Sequence, residues 1–349
     1  MDFTLTEAQT ALATLVREIL ASREPASGLD RPLWTDLAKA GVLAATLPAP
    51  AGGDGYGLLE QCGILAELGR AVAAVPFLSS IVVAASALAR YGDAAQVEQW
   101  AAPAGRGELI LTAALAEPTV HTRRSRDRWV LDGSATAVPA APDADLFLVP
   151  ADGLVFLVTP ADAGVTVEPQ HVAGGPGVGW LGLASVTLDE DRVLADPGVT
   201  AWLRERATVG HCAGQLGVTE RALELTAEYA RTREQFGRAI GSFQAVAQRL
   251  ADAYIDVEAI RLTLWQAAWR LSRGLPAPTE VATAKFWAAD AGHRVAHTAV
   301  HVHGGVGIDL DHRVQRYFLA AKYNEFALGG ATEQLLRLGD ALRTAALDV

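Results

Sequence analysis

Lysine is almost missing from this sequence: Lys39, Lys285 and Lys322 are the three copies in 349 residues, and the other 26 basic residues are arginine. Cysteine is limited to Cys62 and Cys212, which form no CxxC pair. That excludes a disulfide framework and fits a reducing compartment. Positive charge is also short. Forty acidic residues outweigh 29 basic ones, for a formal net charge of −11, which argues against binding a nucleic-acid backbone. No uninterrupted apolar run reaches the ~18 residues of a membrane span, because Arg, Asp, Glu or a Pro/Gly break cuts each candidate. The start, Met1-Asp2-Phe3-Thr4, lacks a basic region followed by an apolar stretch, so no secretory signal is expected and the location is expected to be cytoplasmic. Apolar residues are what the chain has in surplus: half of all positions, with a mean hydropathy of +0.19. Without a span to absorb it, that surplus is expected in subunit contacts, since obligate interfaces resemble a core cut in half.

Three zones follow one another, predicting an α+β protein with an N-terminal helical domain over 1–108, a middle β domain over 109–198 and a C-terminal four-helix bundle over 199–349. In the first zone, Thr4-x-x-Glu7 has the form of a capping box ahead of Ala8, Leu12, Leu15, Val16, Ile19 and Leu20 at helical spacing. Asp30, Pro32 and Gly41 bracket a second helix. The period then changes. Short apolar runs at Leu109–Leu111, Trp129–Leu131, Leu146–Val149, Leu154–Val158 and Ser185–Leu188, punctuated by Gly, Pro and Asp, predict a small all-β unit. Long helical segments over 199–232, 243–273, 279–302 and 313–345 with short Gly/Pro breaks predict the bundle.

The most specific stretch is Tyr229-Ala230-Arg231-Thr232-Arg233-Glu234-Gln235-Phe236-Gly237-Arg238-Ala239-Ile240-Gly241-Ser242-Phe243-Gln244. It resembles the R-x-Q-F-G-x-x-I-G-x-F-Q signature of the acyl-CoA dehydrogenase family. His301-Val302-His303-Gly304-Gly305-Val306-Gly307 is similar to the family's Q-x-x-G-G-x-G segment, at the family's distance from Arg233. The resemblance covers essentially the whole chain. It implies the acyl-CoA dehydrogenase fold, FAD as cofactor, an acyl-CoA substrate and an electron-transfer acceptor. It further implies that Arg233, Gln235, Phe236, His301, Gly304 and Gly305 face the adenosine and pyrophosphate half of a neighbouring subunit's FAD. A guanidinium pairs with a pyrophosphate through two parallel hydrogen bonds, and glycine allows close backbone approach.

The resemblance is broken where the reacting half of such a site belongs. The family's base, a glutamate ahead of a Gly near the last helix, corresponds to Leu328. The alternative base position, in a Glu-Arg pair on the first bundle helix, corresponds to Ala207. Glu205 lies two residues away, turned by about 200° on a helix. The family's T-E-P-x-x-G-S loop reads Ala116-Glu117-Pro118-Thr119-Val120-His121-Thr122, its W-I-T strand reads Thr136-Ala137-Val138-Pro139, and its Arg-Asp ahead of Ala-Lys reads Leu319-Ala320. No catalytic residue is therefore assigned. The pattern resembles the shorter, non-catalytic-type subunit of actinobacterial α2β2 acyl-CoA dehydrogenases acting on steroid side chains, which implies a homologous catalytic partner subunit that shares the FAD. Two other expectations stand beside it. One is a self-sufficient homo-oligomeric dehydrogenase with its base relocated to Glu325, Glu333, Asp309 or Asp311. The other is a structural homologue without flavin.

His293, His297 and His301, four residues apart, fall on one helix face and could share a metal. No acidic or cysteine ligand completes a set, so polar packing is the expected role and no metal is assigned. Trp265, Trp269 and Trp287 are expected in core or interface rather than as a ligand platform.

Overall fold

A computed structural model describes residues 4–347 other than 22, 24, 25, 27, 117 and 176, with the backbone alone over 344–347. Its first zone contains α1 (Glu7–Leu20), α2 (Arg31–Lys39), the short α3 (Val42–Ala45) and α4 (Leu58–Ala71). A π-helical stretch, Phe77–Ala85, then runs into α5 (Ser86–Tyr91), followed by the short α6 (Ala94–Gln96) and α7 (Ala102–Gly105). The capping box lies two residues later than the sequence pattern indicated. Thr6, not Thr4, is the N-cap of α1: its Oγ1 accepts from Gln9 N at 3.2 Å, and Gln9 Oε1 accepts from Thr6 N at 2.9 Å. Gln serves the N3 position as well as Glu. Asp30 caps α2, accepting from Leu33 N at 2.8 Å.

The strands form two four-stranded sheets, with neighbour orders β1-β4-β5-β8 and β2-β3-β7-β6. They are β1 (Leu111–Ala113), β2 (His121–Ser125), β3 (Arg128–Pro139), β4 (Leu146–Ala151), β5 (Leu154–Val158), β6 (Val165–Gln170), β7 (Val178–Leu188) and β8 (Val193–Leu194). Phe147 and Phe156 of one sheet meet Leu131, Leu181 and Val186 of the other in a shared core. Both faces of β4 are buried, which is why it reads as a continuous apolar run rather than an alternating one. β2 and β6 carry no such run. They are largely exposed edge strands, and only pairing with β3 and β7 identifies them.

Helices return with α8 (Val199–Thr232), α9 (Gln244–Ser272) and α10 (Pro278–His303), with a two-stranded hairpin, β9 (Glu234–Gln235) and β10 (Arg238–Ala239), between the first two. The last expected segment, 313–345, is divided into α11 (Arg313–Phe326) and α12 (Ala331–Leu347). The chain turns at Leu328, with φ +58°, and Gly329, with φ +102°. Two adjacent left-handed residues cannot continue a right-handed helix. Among the described residues the zone thus holds five α-helices, α12 packing on α10.

One hydrophobic cluster joins the zones, running from Leu33, Leu37 and Ile81 through Leu111 and Leu148 to Leu203, Ile260 and Leu264. The α4–α8 crossing is close because it is made by glycines. A Cβ on Gly69 would collide with the carbonyl oxygen of Gly214, and one on Gly217 with that of Ala66. The strands also meet the bundle directly. A Cβ at Gly174 would strike the Leu319–Ala320 backbone, and one at Gly175 would strike the Tyr323 ring, so the β6–β7 loop lies against α11.

Candidate functional site

Helix α8 ends one residue before Arg233, whose N–H donates to Tyr229 O at 2.8 Å and whose carbonyl accepts from Ile240 N at 2.8 Å. Between these anchors, Gln235 pairs with Arg238 and Glu234 with Ala239. Phe236 and Gly237, at φ +54° and +75°, make the two-residue turn, both with the positive φ that a tight hairpin requires. Arg233 and Gln235 are exposed, and the Phe236 ring is 92% exposed, touching Phe243 edge-on at 6.2 Å. Arg233 forms no ion pair among the described residues, whereas Arg70, Arg261 and Arg294 each hold carboxylates.

The second expected element is the end of α10. His301, Gly304 and Gly305 are exposed, Gly304 has φ +65°, and neither glycine has an atom near the place a Cβ would occupy. His303, the last helical residue, is buried. It donates from Nδ1 to Ala299 O at 2.8 Å and stacks on Tyr229 with ring centroids 4.3 Å apart. Burial lowers its pKa below the ordinary histidine value. Tyr229 is one helical turn before Arg233, and His303 adjoins Gly304. Their stack therefore ties the ends of α8 and α10 together, and both expected segments emerge at the same end of the bundle. Neither Tyr229 nor His303 was singled out from the sequence. A Tyr one turn ahead of the signature arginine is the signal that was available.

The two base positions lie elsewhere and are apolar in fact as well as in sequence. Ala207 is buried and Leu328 packs against the same cluster. Three buried or half-buried polar groups hold the corner around Leu328. Lys285 Nζ donates to the carbonyls of Asn324 at 2.7 Å and Glu325 at 3.0 Å. Gln334 Nε2 donates to Gly329 O at 3.2 Å, and His211 Nδ1 meets Asn324 Oδ1 at 3.2 Å. Lys285 is fully buried, and burial lowers its pKa to about 8. Burial likewise lowers His211 to about 4, with Lys285 adding to the effect.

None of the other carboxylates considered as a base stands free beside an apolar cavity. Glu325 is 2.6 Å from Lys322 Nζ and 3.1 Å from His293 Nδ1. Glu333 holds Arg337 at 2.5 Å, while Asp309 and Asp311 are exposed. Glu205 lines a groove of about 270 Å³ between α8, α10 and α12, in company with Arg204 and Arg337. Burial raises its pKa.

Of the three spaced histidines, His293 and His297 have ring centroids 4.2 Å apart, and Lys322 Nζ stands 3.0 Å from His293 Nδ1. The ammonium thus takes the place beside the imidazole and Glu325 that a cation would need. Among the described residues no three metal-type ligands converge. Trp265 and Trp287 pack against the main core and Trp269 is half-buried.

Several polar groups of the two altered β-domain segments bond within the domain itself. Ala137 N donates to Gln170 Oε1 at 2.8 Å, and Thr136 Oγ1 shares a hydrogen bond with the same side chain. Thr119 N donates to Ser134 O at 2.9 Å, and Thr122 N to Asp152 Oδ2 at 2.7 Å. Glu117 lies outside the described residues.

A helical N-terminal zone, paired β-sheets and a helical C-terminal zone with an arginine hairpin between its first two helices define an acyl-CoA dehydrogenase architecture. The N-terminal domain model of that family matches residues 5–108, and its C-terminal domain model matches residues 201–342. The chain belongs to the acyl-CoA dehydrogenase family. Among named relatives it is 50% identical to the acyl-CoA dehydrogenase FadE27 of Mycobacterium tuberculosis, over 98% of this chain and 99% of that protein. Among solved structures it superposes on a chain of the ChsE4–ChsE5 complex from Mycobacterium tuberculosis with a TM-score of 0.93 and 50% identity, covering 98% of this chain and 99% of that one. A chain of the steroid acyl-CoA dehydrogenase Tcur3481–Tcur3483, a G363A variant, aligns with a TM-score of 0.92 and 37% identity, over 99% and 100% of the two chains.

Proposed function

We propose that this chain is one subunit of a hetero-oligomeric, FAD-dependent acyl-CoA dehydrogenase, and that it contributes half of a cofactor site rather than the catalytic base. One observation carries the proposal: of the two base positions Ala207 is buried in the hydrophobic core and Leu328 packs against it, while the family's neighbour-facing residues are exposed at one end of the bundle. Arg233, Gln235, Phe236, His301, Gly304 and Gly305 would hold the adenosine and pyrophosphate half of FAD. Fit is good on this side. Arg233 has no carboxylate partner among the described residues, and the open faces of Gly304 and Gly305 admit close backbone approach. Fit is poor for the flavin half on the chain's own β domain, where the backbone donors of Thr119, Thr122 and Ala137 are used internally and the β6–β7 loop rests on α11.

FAD supplies the hydride acceptor in α,β-dehydrogenation of an acyl-CoA. The residues of this chain orient and neutralise the diphosphate; the proton is removed by a base on a homologous partner, in an α2β2 assembly. The heteromeric complexes among the similar structures support that arrangement, and the steroid enzyme among them favours a steroid side-chain thioester as the substrate. A separate electron acceptor would complete the turnover.

The test is co-production with the homologous subunit encoded alongside it. Flavin absorbance and acyl-CoA dehydrogenation are expected in the complex and not in this chain alone. Arg233→Ala should weaken flavin retention by about 10- to 100-fold, the equivalent of one charge-assisted contact of roughly 1.5–3 kcal/mol. Yellow, active protein from this chain by itself would overturn the assignment.

A further inference from the structure

Arg206 is a half-buried guanidinium that forms no ion pair among the described residues. It is half-buried on α8 and faces α4 and α5. Among the described residues its side chain makes one hydrogen bond, a long 3.4 Å contact from Nη1 to Gln61 Oε1, and its Cζ stands 4.6 Å over the ring of Trp202. Trp202 meets Tyr91 edge-on at 5.8 Å, and a second cation, Arg90, lies 5.3 Å over Tyr91. Neither arginine forms an ion pair among the described residues. The adjacent carboxylate, Glu205, lines the groove beside α12 instead. The contrast with the rest of the molecule is direct. Arg17, Arg70 and Arg294 are held by carboxylates, and their pKa values are raised. That of Arg206 is pushed down to about 10, chiefly by burial, with Arg90 adding repulsion. An uncompensated charge removed from water is destabilising unless an anion answers it.

We propose that Arg206 and Arg90, with the Tyr91–Trp202 aromatic pair between them, form a binding site for a small oxyanion, a carboxylate or a phosphate group. The planar fork of Arg206 offers parallel N–H donors that match two oxygens of such a group. Arg90, exposed on α5, supplies a second positive charge. With its face over the Trp202 ring, the Arg206 guanidinium presents its edge as the donor face. This site is separate from the end of the bundle that carries Arg233.

The experiment is thermal unfolding of the full chain in sodium phosphate and in sodium acetate, each against sodium chloride at matched ionic strength. At saturation one of the two oxyanions is expected to raise Tm by about 2–4 °C. A response to phosphate alone identifies a phosphate ligand, and a response to acetate identifies a carboxylate. Arg206→Met should abolish the saturable rise and unfold in chloride at or above the wild-type temperature, since it removes an unpaired buried charge. Arg90→Ala, at an exposed position, keeps the test usable if Arg206→Met fails to fold; it should weaken the apparent affinity several-fold. A saturable rise that persists in Arg206→Met, an affinity unchanged in Arg90→Ala, or no saturable rise in the wild type would overturn the proposal.

Discussion

Ala207 and Leu328, which stand where the family resemblance places a base, both make apolar contact with one continuous cluster. Restoring a carboxylate is not expected to restore chemistry. Leu328→Glu would bury an unpaired charge beside the Lys285-held corner, and should lower stability by about 2–4 kcal/mol in urea unfolding, with no gain of dehydrogenation by the isolated chain. His211 provides a second residue-level prediction. Its imidazole is buried and neutral, with its pKa lowered to about 4 from an ordinary 6.5. Below pH 6.5 the unfolded chain takes up this proton while the folded chain resists it. The contribution is therefore complete above pH 6.5 and lost as pH falls toward 4, by at most about 3 kcal/mol. His211→Gln should be less stable than wild type at pH 7.5, and the gap should close by pH 4.5. Urea midpoints at the two pH values measure it, and a gap that stays constant would contradict the assignment.

At the scale of elements, helix ends and crossings matter more than helix bodies. The α8–α10 pairing through Tyr229 and His303 sets two loops side by side that are some 70 positions apart in sequence. The glycine crossing of α4 and α8 fixes how closely the N-terminal helices approach the bundle. Gly217→Ala places a methyl against the Ala66 carbonyl and should cost about 1–3 kcal/mol, with Gly69→Ala similar and the double variant less than additive, because both relieve themselves by parting the same helices. Several elements were legible in sequence for clear reasons. β5 is an apolar run bounded by turn residues, and the start of α2 carries a capping Asp. β2 and β6 were not, because an exposed edge strand has no apolar pattern to display. The division between α11 and α12 was hidden in an apolar Ala-Leu-Gly-Gly stretch whose left-handed turn is stabilised by Lys285 and Gln334, residues distant from it or beyond it in the chain.

For the whole molecule, the apolar surplus does not disappear into the core. Phe236, Ile308, Leu310, Leu336 and Leu342 each remain mostly exposed, and among the described residues no helix is long and apolar enough to cross a membrane. Ile308 and Leu310 follow directly on the Gly304–Gly305 turn, so a subunit contact there would enclose the proposed half-site. Leu310→Asp is expected to leave the monomer's Tm within about 1 °C while weakening association with the partner subunit at least 10-fold. Light scattering after size exclusion measures the second effect and calorimetry the first.

What the amino-acid order determined by itself was local: the succession of helical, strand and helical zones, the arginine hairpin signature, and the absence of a carboxylate at either expected base position. Those follow from side-chain period, turn chemistry and residue identity, all of which act over a few positions. The tertiary structure alone decided which charges are paired. Lys322 stands beside His293 and Glu325, Lys285 caps α11 from another helix, and Arg206 is left without a carboxylate while Arg233 faces outward. Electrostatic pairing and burial depend on distances between segments far apart in the chain, and only the packed fold sets those distances.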